Sequence, residues 1–274
     1  MPSLTRPDAH LVFEVAGTGS PIVFIQGIGV AGSGWAPQVE AFKRNFQCLT
    51  FDNRGLGRSV PCTGTITIES MSADVIALMD HLGWGSAHVV GHSMGGVIAQ
   101  QVALDAPQRV RSLSLLCTFA RGKDGARPTP RILWMSLRTR VGTRRMRRRA
   151  FLELVVPRKD LDRTDPDALA EGLAPLLGRD LADSPPILMK QLKALGRHDA
   201  FHRLAQLSGI PTWVASASLD PIASPDFGRQ LAAAIPGARF DLLEGSSHAV
   251  PLTHPERVHP LLKDFLNSVE SRTT

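Results

Sequence analysis

The sequence contains few cysteines, and none at the spacings that metal sites or disulfide frameworks use. Cys48, Cys62 and Cys117 are the only three in 274 residues, and they are widely separated. Paired Cys-x-x-Cys spacings indicate zinc or redox sites, whereas even sets at short spacing indicate disulfide-stapled domains. We therefore expect reduced, structural thiols, as in a cytoplasmic protein.

Long apolar runs are also absent. No segment approaches the roughly 20 consecutive apolar residues of a membrane-spanning helix. The opening residues, MPSLTRPDAHLVFEVAG, lack the basic region, apolar run and small-residue cleavage site of a secretory signal. The sequence therefore predicts a cytoplasmic location and no membrane partner. With 43% hydrophobic residues, the chain can still bury a substantial core.

The positive charge is concentrated in one part of the chain. Residues 121–209 contain 19 Lys and Arg against 10 Asp and Glu, whereas the remainder contains 12 against 15. The net charge of +6 alone would suggest nucleic-acid binding. Because the excess lies in a single segment, we expect it to belong to a local surface.

Short β-rich runs alternate with helical patterns on both sides of that segment. Residues 87–92 and 110–118 are apolar enough for buried strands, and residues 94–106 between them have a helical pattern. Residues 211–218 and 238–245 repeat the strand signal near the end. Alternation of this kind predicts an α/β protein with a mostly parallel central sheet flanked by helices.

The strand signals stop over residues 121–209, where helical pieces rich in Pro, Arg and Leu replace them. No repeat or low-complexity linker separates this stretch from the rest. We therefore predict a core formed by residues 1–120 and 210–274, with residues 121–209 inserted as a helical cap.

A candidate nucleophile lies between the strand predicted over residues 87–92 and the helix predicted over residues 94–106. Gly91-His92-Ser93-Met94-Gly95 matches the G-x-S-x-G elbow, in which a sharp, strained turn exposes the serine hydroxyl. The glycines leave room for neighbouring backbone. A chance match in an ordinary loop is the alternative, and the strand-turn-helix context argues against it.

A serine hydroxyl needs a base, and the base needs an orienting acid. Asp220 follows the predicted strand 211–218, and His248 follows the strand 238–245. Parallel strands bring such residues to the same edge of the sheet. The chain order Ser, Asp, His is also the order that accompanies a G-x-S-x-G elbow. A simple turn-forming Asp-Pro step at Asp220 remains the alternative for the acid.

Several other histidines compete for the role of base. The most serious rival is His254, but Pro255 follows it and favours the start of the last helix. The others are expected in helices, strands, the cap or the surface: His10, His81, His88, His92, His198, His202 and His259. His248 is preferred because it lies in the loop after the last strand.

Acyl transfer also needs hydrogen-bond donors for the developing oxyanion. The backbone N–H of Met94 follows the nucleophile at a helix N-terminus, where the helix dipole helps it. The glycine-rich turn 26–29 is expected to supply the second donor through the N–H of Ile28. An ordinary strand-to-helix turn would also use these glycines.

The motifs GHSMGG, DNRGLGRS, SLDPIAS and GSSHAVPLTHPERV occur in the order and spacing of one family. Over essentially its whole length, the chain resembles the α/β-hydrolase superfamily, in particular small capped carboxylesterases, enol-lactonases and cofactor-free haloperoxidases. The resemblance implies that residues 52–59 form a structural loop beside the active site.

Two features distinguish the chain within that family. Gln26-Gly27 stands where the family usually has His-Gly, so the loop shape there depends on a glutamine. Relatives that are epoxide hydrolases or haloalkane dehalogenases use an aspartate at the elbow, whereas this chain has Ser93. Epoxide hydrolases also use cap tyrosines, and the sequence contains no tyrosine.

The segment 138–149, RTRVGTRRMRRR, carries seven arginines. Three interpretations stay open: a solvated helix face, a collar that attracts anionic substrates, and a patch for nucleic acid or anionic membrane. No aromatic residue is interleaved with the arginines, which disfavours single-stranded nucleic acid.

The sequence therefore predicts a serine hydrolase that cleaves a carboxylic ester or lactone through an acyl-enzyme, without a metal or organic cofactor. The expected partner is a small-molecule ester, anionic in one interpretation, and not nucleic acid. Alternatives are a C–C bond hydrolase or a haloperoxidase-like perhydrolase with the same three residues, and a non-catalytic ligand-binding member of the fold.

Overall fold

The structure is a computed structural model that describes residues 1–125 and 130–272. Residues 126–129 of the predicted cap and residues 273–274 of the predicted core lie outside the described residues. None of the helices in the described part is long and apolar enough to cross a membrane.

Eight strands form one sheet in the order β1-β2-β4-β3-β5-β6-β7-β8. Their bounds are β1 Ser3–Thr5, β2 His10–Ala16, β3 Ser20–Ile25, β4 Phe46–Phe51, β5 Ala87–His92, β6 Val110–Leu116, β7 Thr212–Ala217 and β8 Arg239–Leu243. β2 pairs antiparallel with β1 and β4, and the remaining pairs are parallel. The predicted α/β fold with a mostly parallel sheet is confirmed.

Helices cover the sheet and fill the connections. Their bounds are α1 Ala36–Phe42, α2 Ile68–His81, α3 Met94–Asp105, α4 Gly122–Gly125, α5 Pro130–Arg138, α6 Arg144–Val155, α7 Arg158–Leu161, α8 Pro166–Leu177, α9 Ile187–Arg197, α10 Pro225–Ala234, α11 Val250–Thr253 and α12 Pro255–Glu270. Short 3₁₀ helices span Gly32–Trp35, Pro107–Arg109 and Phe201–Leu207.

The central strands are apolar along their whole length because both faces of the sheet are covered. All six residues of β5 are buried, as are all six of β7, which is the usual state of parallel strands between two helix layers. The strand predicted over 110–118 ends earlier, at Leu116, because Cys117 takes a φ of +46° and turns the chain out of the sheet.

The sequence patterns did not predict the strand β1 or the burial of His259. β1 has only three residues, at the sheet edge, and too few apolar positions to give a strand signal. His259, expected at the surface, is half-buried, packs edge-on against Phe42 and contacts the amide of Gln38 at 3.3 Å. Its imidazole covers the apolar ring, which a surface assignment from polarity alone overlooks.

The described residues between β6 and β7 form the helices α4 to α9 and the last 3₁₀ helix. α6 and α8 pack against each other around a small apolar cluster, separate from the main core. Its buried members are Leu152, Val155, Val156, Ala170, Leu173, Leu177, Leu181 and Ala249. Ala249 belongs to the loop after β8, so this cluster joins the inserted helices to the carboxyl edge of the sheet.

The loop 52–59 is fixed by buried charge. The guanidinium of Arg54 donates two hydrogen bonds to the carboxylate of Asp74, at 2.6 and 2.7 Å, and both side chains are buried. Asp52 accepts from the N–H of Gly32 at 2.8 Å and from the N–H of Arg58 at 2.9 Å. These bonds tie the loop to the chain that follows β3.

Candidate active site

Ser93 occupies a strained turn between β5 and α3. Its φ of 57° and ψ of −124° lie outside the regions that non-glycine residues usually adopt. The turn leaves no room for side chains at the flanking glycines. A Cβ on Gly91 would lie 2.3 Å from the carbonyl oxygen of Gly95, and a Cβ on Gly95 would lie 2.0 Å from that of Ile25.

The side chains of Ser93, His248 and Asp220 form one hydrogen-bonded row. The hydroxyl of Ser93 donates to Nε2 of His248 at 3.0 Å, and Nδ1–H of His248 donates to Oδ2 of Asp220 at 2.7 Å. All three residues are buried. The geometry holds one imidazole tautomer, with its proton toward the carboxylate and its lone pair toward the serine.

Asp220 is itself fixed in orientation. Its second oxygen, Oδ1, accepts from the backbone N–H groups of Ile222 at 2.8 Å and Ala223 at 2.9 Å. These two hydrogen bonds fix the plane of the carboxylate, so that Oδ2 faces His248. The thiol of Cys117 also lies against this carboxylate, and burial and the negative charge raise the pKa of Cys117 well above its usual range.

His92 supports the loop that carries His248. Its Nε2–H donates to the carbonyl oxygen of His248 at 2.8 Å, and the two rings lie 4.9 Å apart. Burial, together with the neighbouring imidazole of His248, lowers the pKa of His92 to about 3. His92 therefore stays neutral over the physiological pH range and acts as a hydrogen-bond donor.

Of the two residues predicted to supply oxyanion donors, Met94 directly follows Ser93, and Ile28 follows Gly27, at which a Cβ would lie 3.0 Å from that of Ser93. Within the described chain, the N–H groups of Met94 and Ile28 have no hydrogen-bond acceptor, so both are free to bind an incoming oxygen. Met94 begins α3, whose dipole favours negative charge there. Gln26, which replaces the usual histidine, accepts a long hydrogen bond of 3.3 Å from the N–H of Gly27.

Residues of α8 and α9 and the loop between them hold the turn after β3. The N–H of Gly29 donates to the side-chain oxygen of Gln191 at 2.9 Å, and its carbonyl accepts from Nε of Arg179 at 3.0 Å. A Cβ on Gly29 would lie 2.0 Å from a methyl of Leu188. The inserted helices thus bind both sides of the residue that follows the Ile28 donor.

Two further backbone hydrogen bonds extend this contact. The N–H of Ala31 donates to the carbonyl of Leu177 at 3.1 Å, and the N–H of Ala249 donates to that of Val155 at 2.9 Å. Ala249 directly follows His248. The inserted helices therefore touch both the turn that carries Ile28 and the loop that carries the imidazole.

A pocket of about 390 Å³ opens over Ser93 and His248. Its wall is mostly apolar, with Phe119 and Ile222 from the core and leucines from α5, α6, α8 and α9. Such a shape is typical of small-molecule sites. The apolar residues of α5 that line the pocket are Ile132 and Leu133, whereas Trp134 and Leu137 of the same helix are more than half exposed and do not line it.

The rival base lies elsewhere. His254 contacts the hydroxyl of Thr253 at 3.0 Å and the carboxylate of Asp160 at 3.4 Å, and it does not line the pocket. His248 is the histidine that reaches Ser93.

Sequence reasoning missed Gln191, Arg179 and Leu188. A signal for Gln191 exists, since it is a polar residue on the apolar stripe that Leu188 and Leu195 form on α9. Gln191 is fully buried there, which is unusual for glutamine unless its amide has a partner. Arg179 gives no comparable signal among so many arginines.

Comparison with known proteins agrees with this architecture. A family model described as the alpha/beta hydrolase fold matches residues 20–142, which include Ser93. A protein named carbamate hydrolase RutD, from Azorhizobium caulinodans, is 30% identical over 98% of this chain and 100% of its own length. The chain belongs to the α/β-hydrolase superfamily.

Solved structures of other α/β hydrolases resemble it closely. The enol-lactonase of Burkholderia xenovorans has a TM-score of 0.81 and 27% identity, covering 97% of this chain and 100% of its own. The protein named non-heme bromoperoxidase BpoC, from Mycobacterium tuberculosis, has a TM-score of 0.81 and 31% identity, covering 94% and 96%. The relatives of this α/β hydrolase are thus named for different reactions: carbamate hydrolysis, enol-lactone hydrolysis and bromide peroxidation.

Proposed function

We propose that this α/β hydrolase is a serine hydrolase that cleaves a carboxylic ester or lactone through an acyl-enzyme. The observation that carries the proposal is the row from Ser93 through His248 to Asp220, with distances of 3.0 and 2.7 Å, beneath a pocket of small-molecule size. A nucleophile within reach of a base that is itself oriented is the requirement for this chemistry.

In the acylation step, Oγ of Ser93 attacks the carbonyl carbon of the ester while its proton passes to Nε2 of His248. A tetrahedral intermediate forms, with the negative charge on the former carbonyl oxygen. On its collapse the bond to the alcohol oxygen breaks, and His248 returns the proton to that oxygen. The products are the alcohol and an acyl group on Ser93.

Deacylation repeats the sequence with water. Water gives a proton to His248 as its oxygen attacks the acyl carbon, and the bond to Oγ of Ser93 then breaks as Oγ recovers the proton. Asp220 stabilises the imidazolium form of His248 in both steps. A lactone follows the same path, but its alcohol stays joined to the acyl group until water releases the hydroxy acid.

The N–H groups of Met94 and Ile28 are the proposed oxyanion donors. Both lack an acceptor among the described residues, so they can bind an oxyanion without breaking an existing bond. Loss of one such donor typically costs roughly 100- to 1000-fold in rate. The expected substrate is a small molecule, since the apolar walls fit an acyl or alcohol group of modest size.

The test is hydrolysis of p-nitrophenyl esters, from acetate to long acyl chains, by the wild type, Ser93→Ala, His248→Ala and His254→Ala. We expect activity to vanish in the first two variants and to persist in His254→Ala, a matched control because that histidine lies outside the pocket. A fluorophosphonate should label the wild type and not Ser93→Ala. No labelling and no hydrolysis would favour a ligand-binding protein.

A second candidate is perhydrolysis, in which hydrogen peroxide replaces water in deacylation and releases a peracid. The specific support is the 34% identity with the protein named bromoperoxidase BpoC over 96% of this chain. Peroxide-dependent bromination that needs a carboxylic acid and Ser93 would support it. If the protein hydrolyses esters but catalyses no such bromination, the perhydrolysis candidate is excluded and only the esterase proposal remains.

A further inference from the structure

Arg179 is one of three charged residues that line the otherwise mostly apolar pocket containing Ser93 and His248, the others being Arg140 and Asp183. Arg179 follows the C-terminus of α8 and is half-buried. Removing a charge from water is costly unless it has a partner of opposite charge. The hydrogen-bond and ion-pair partners of this guanidinium therefore show whether its charge is compensated within the protein.

Neutral backbone oxygens hold the guanidinium in place. Nε donates to the carbonyl of Gly29 at 3.0 Å, and Nη1 donates to the carbonyls of Asp180 at 3.1 Å and Asp183 at 2.6 Å. These bonds use three of the five N–H groups that an arginine carries. The two on Nη2 have no acceptor within the described chain.

No carboxylate in the described part of the chain lies within ion-pair distance of Arg179. The nearest acidic side chains act on it only at longer range, and other arginines already bind them. Asp180 pairs with Arg148 and Arg144, and Asp183 pairs with Arg144. Burial lowers the pKa of Arg179, and Asp183 and Asp180 offset that only in part.

The arginines of the segment 138–149 differ in this respect. Five of the seven form ion pairs with described carboxylates between β6 and β7: Arg138, Arg144, Arg145, Arg148 and Arg149. Most of the charge that was conspicuous in the sequence is therefore compensated locally. Arg140 lines the pocket mouth, where its Nη2 contacts the sulfur of Met189 at 2.9 Å.

The free Nη2 and the apolar walls together define a ligand. We propose that Arg179 is a specificity-determining residue that binds a carboxylate of the substrate, so that the preferred esters or lactones carry a carboxylate besides the scissile bond. This inference rests on the proposed function. A carboxylate matches the guanidinium in charge and geometry, and charge-assisted hydrogen bonds are the stronger ones. The apolar walls would contact the carbon chain between the two groups.

The experiment compares two substrates of equal length, the mono-p-nitrophenyl ester of adipic acid and the same ester with the distal carboxylate replaced by a primary amide. We expect the wild type to show at least a 10-fold higher kcat/KM for the carboxylate substrate, mainly through KM. Arg179→Met keeps the aliphatic stem and removes the charge, and should bring the ratio of the two kcat/KM values close to one.

Arg145→Met is the matched control, because it removes a cap arginine that is 80% exposed and outside the pocket. Its substrate ratio should stay within twofold of the wild type. If Arg179 served only to hold Gly29, Arg179→Met would slow both substrates equally and leave the ratio unchanged. That result, or a wild-type preference for the amide, would overturn the inference.

A second measurement needs no variant at residue 179. Hexanoate and hexanamide are compared as competitive inhibitors of wild-type p-nitrophenyl butyrate hydrolysis, with hexanoate expected to bind at least 10-fold more tightly. Equal inhibition would overturn the inference. Neutral-ester hydrolysis that depends on Ser93 without any carboxylate preference would overturn this inference alone, whereas absence of all ester hydrolysis would overturn the proposed function.

Discussion

Gln191 accepts a hydrogen bond from the backbone N–H of Gly29 at 2.9 Å, although 162 positions separate them in the chain. Gly29 is the neighbour of Ile28, the proposed second oxyanion donor. A glutamine of an inserted helix therefore helps to set the direction of a backbone N–H in the core. The proposed oxyanion site is therefore in contact with the inserted helices through Gly29.

Replacing Gln191 with Met should impair turnover more than substrate binding. The variant fills the same space but cannot accept the hydrogen bond, so the turn loses a fixed point. We expect kcat to fall about 10-fold, part of the roughly 100- to 1000-fold that loss of an oxyanion donor costs, with KM changed less than twofold. Steady-state kinetics on a p-nitrophenyl ester measure both.

Two companions make that experiment decisive. Gln191→Glu keeps an acceptor oxygen and should recover part of the lost kcat. Lys193→Ala, on the same helix and exposed, should match the wild type. A kcat for Gln191→Met within twofold of the wild type would contradict a positioning role.

Asp220→Asn should reduce kcat by roughly 10³- to 10⁴-fold. Oδ1 of Asp220 accepts from the N–H groups of Ile222 and Ala223, so an asparagine must place its oxygen there. Its amide NH₂ then faces His248 and donates to Nδ1. The histidine proton moves to Nε2, which can no longer take the proton of Ser93.

Asp220→Asn also tests the assignment of the acid. Circular dichroism and the thermal midpoint should stay close to those of the wild type, since the two backbone bonds survive. If the variant kept more than a tenth of the wild-type kcat, another group would have to orient His248.

His92 should make the protein lose stability as the pH falls below neutral. The pKa of His92 is about 3 in the folded protein and about 6.5 in the unfolded chain. Between these values the unfolded chain binds the extra proton, so unfolding becomes easier as the pH decreases through this window. At pH 5 the contribution is about 2 kcal/mol.

Urea unfolding of the wild type and His92→Asn at pH 7.5 and 5 measures this contribution. Asparagine can still donate a hydrogen bond but does not titrate, so the variant should lose about 2 kcal/mol less than the wild type over this range. The other histidines are common to both proteins and cancel in the difference. Equal losses would show that His92 is protonated in the folded protein.

Gly29→Ala should lower activity, whereas Gly172→Ala should raise stability. Gly29 has a φ of +67°, which alanine rarely adopts, and its added methyl would displace the end of the Leu188 side chain, so the turn would be strained. Gly172 lies within α8 with open space around it. There alanine should stabilise the protein by about 0.5–1 kcal/mol.

Ester hydrolysis and thermal unfolding separate these two effects. Gly29→Ala should lose at least 10-fold in kcat with the main core unfolding near the wild-type temperature. A fully active Gly29→Ala would show that the contact between the turn and α9 is dispensable.

The sequence was sufficient for the row of Ser93, Asp220 and His248 because each follows a strand of a parallel sheet. The carboxyl ends of such strands meet at one edge, so their order along the chain already places these residues together. The spacing of Gly91 and Gly95 around Ser93 was a second signal. Both positions need glycine because neighbouring backbone oxygens leave no room for a Cβ. These inferences depend on short-range patterns.

The contacts of the inserted helices could not be predicted in the same way. An amphipathic pattern tells which face of α9 is buried but not what lies opposite it. Gln191 and Arg179 meet Gly29 across more than 140 residues, and nothing near Gly29 indicates either partner. Their pairing depends on how the helices dock, which local sequence does not encode.

The insertion joins the core between β6 and β7, a natural place to exchange one set of helices for another when redesigning substrate range. Such an exchange would leave Ser93, Asp220 and His248 unchanged. It would nevertheless remove the two side chains that form hydrogen bonds to the backbone of Gly29. A transplanted lid would have to bring equivalents of Gln191 and Arg179. On the proposed roles of Ile28 and Arg179, exchanging the inserted helices would change the rate and the substrate preference together.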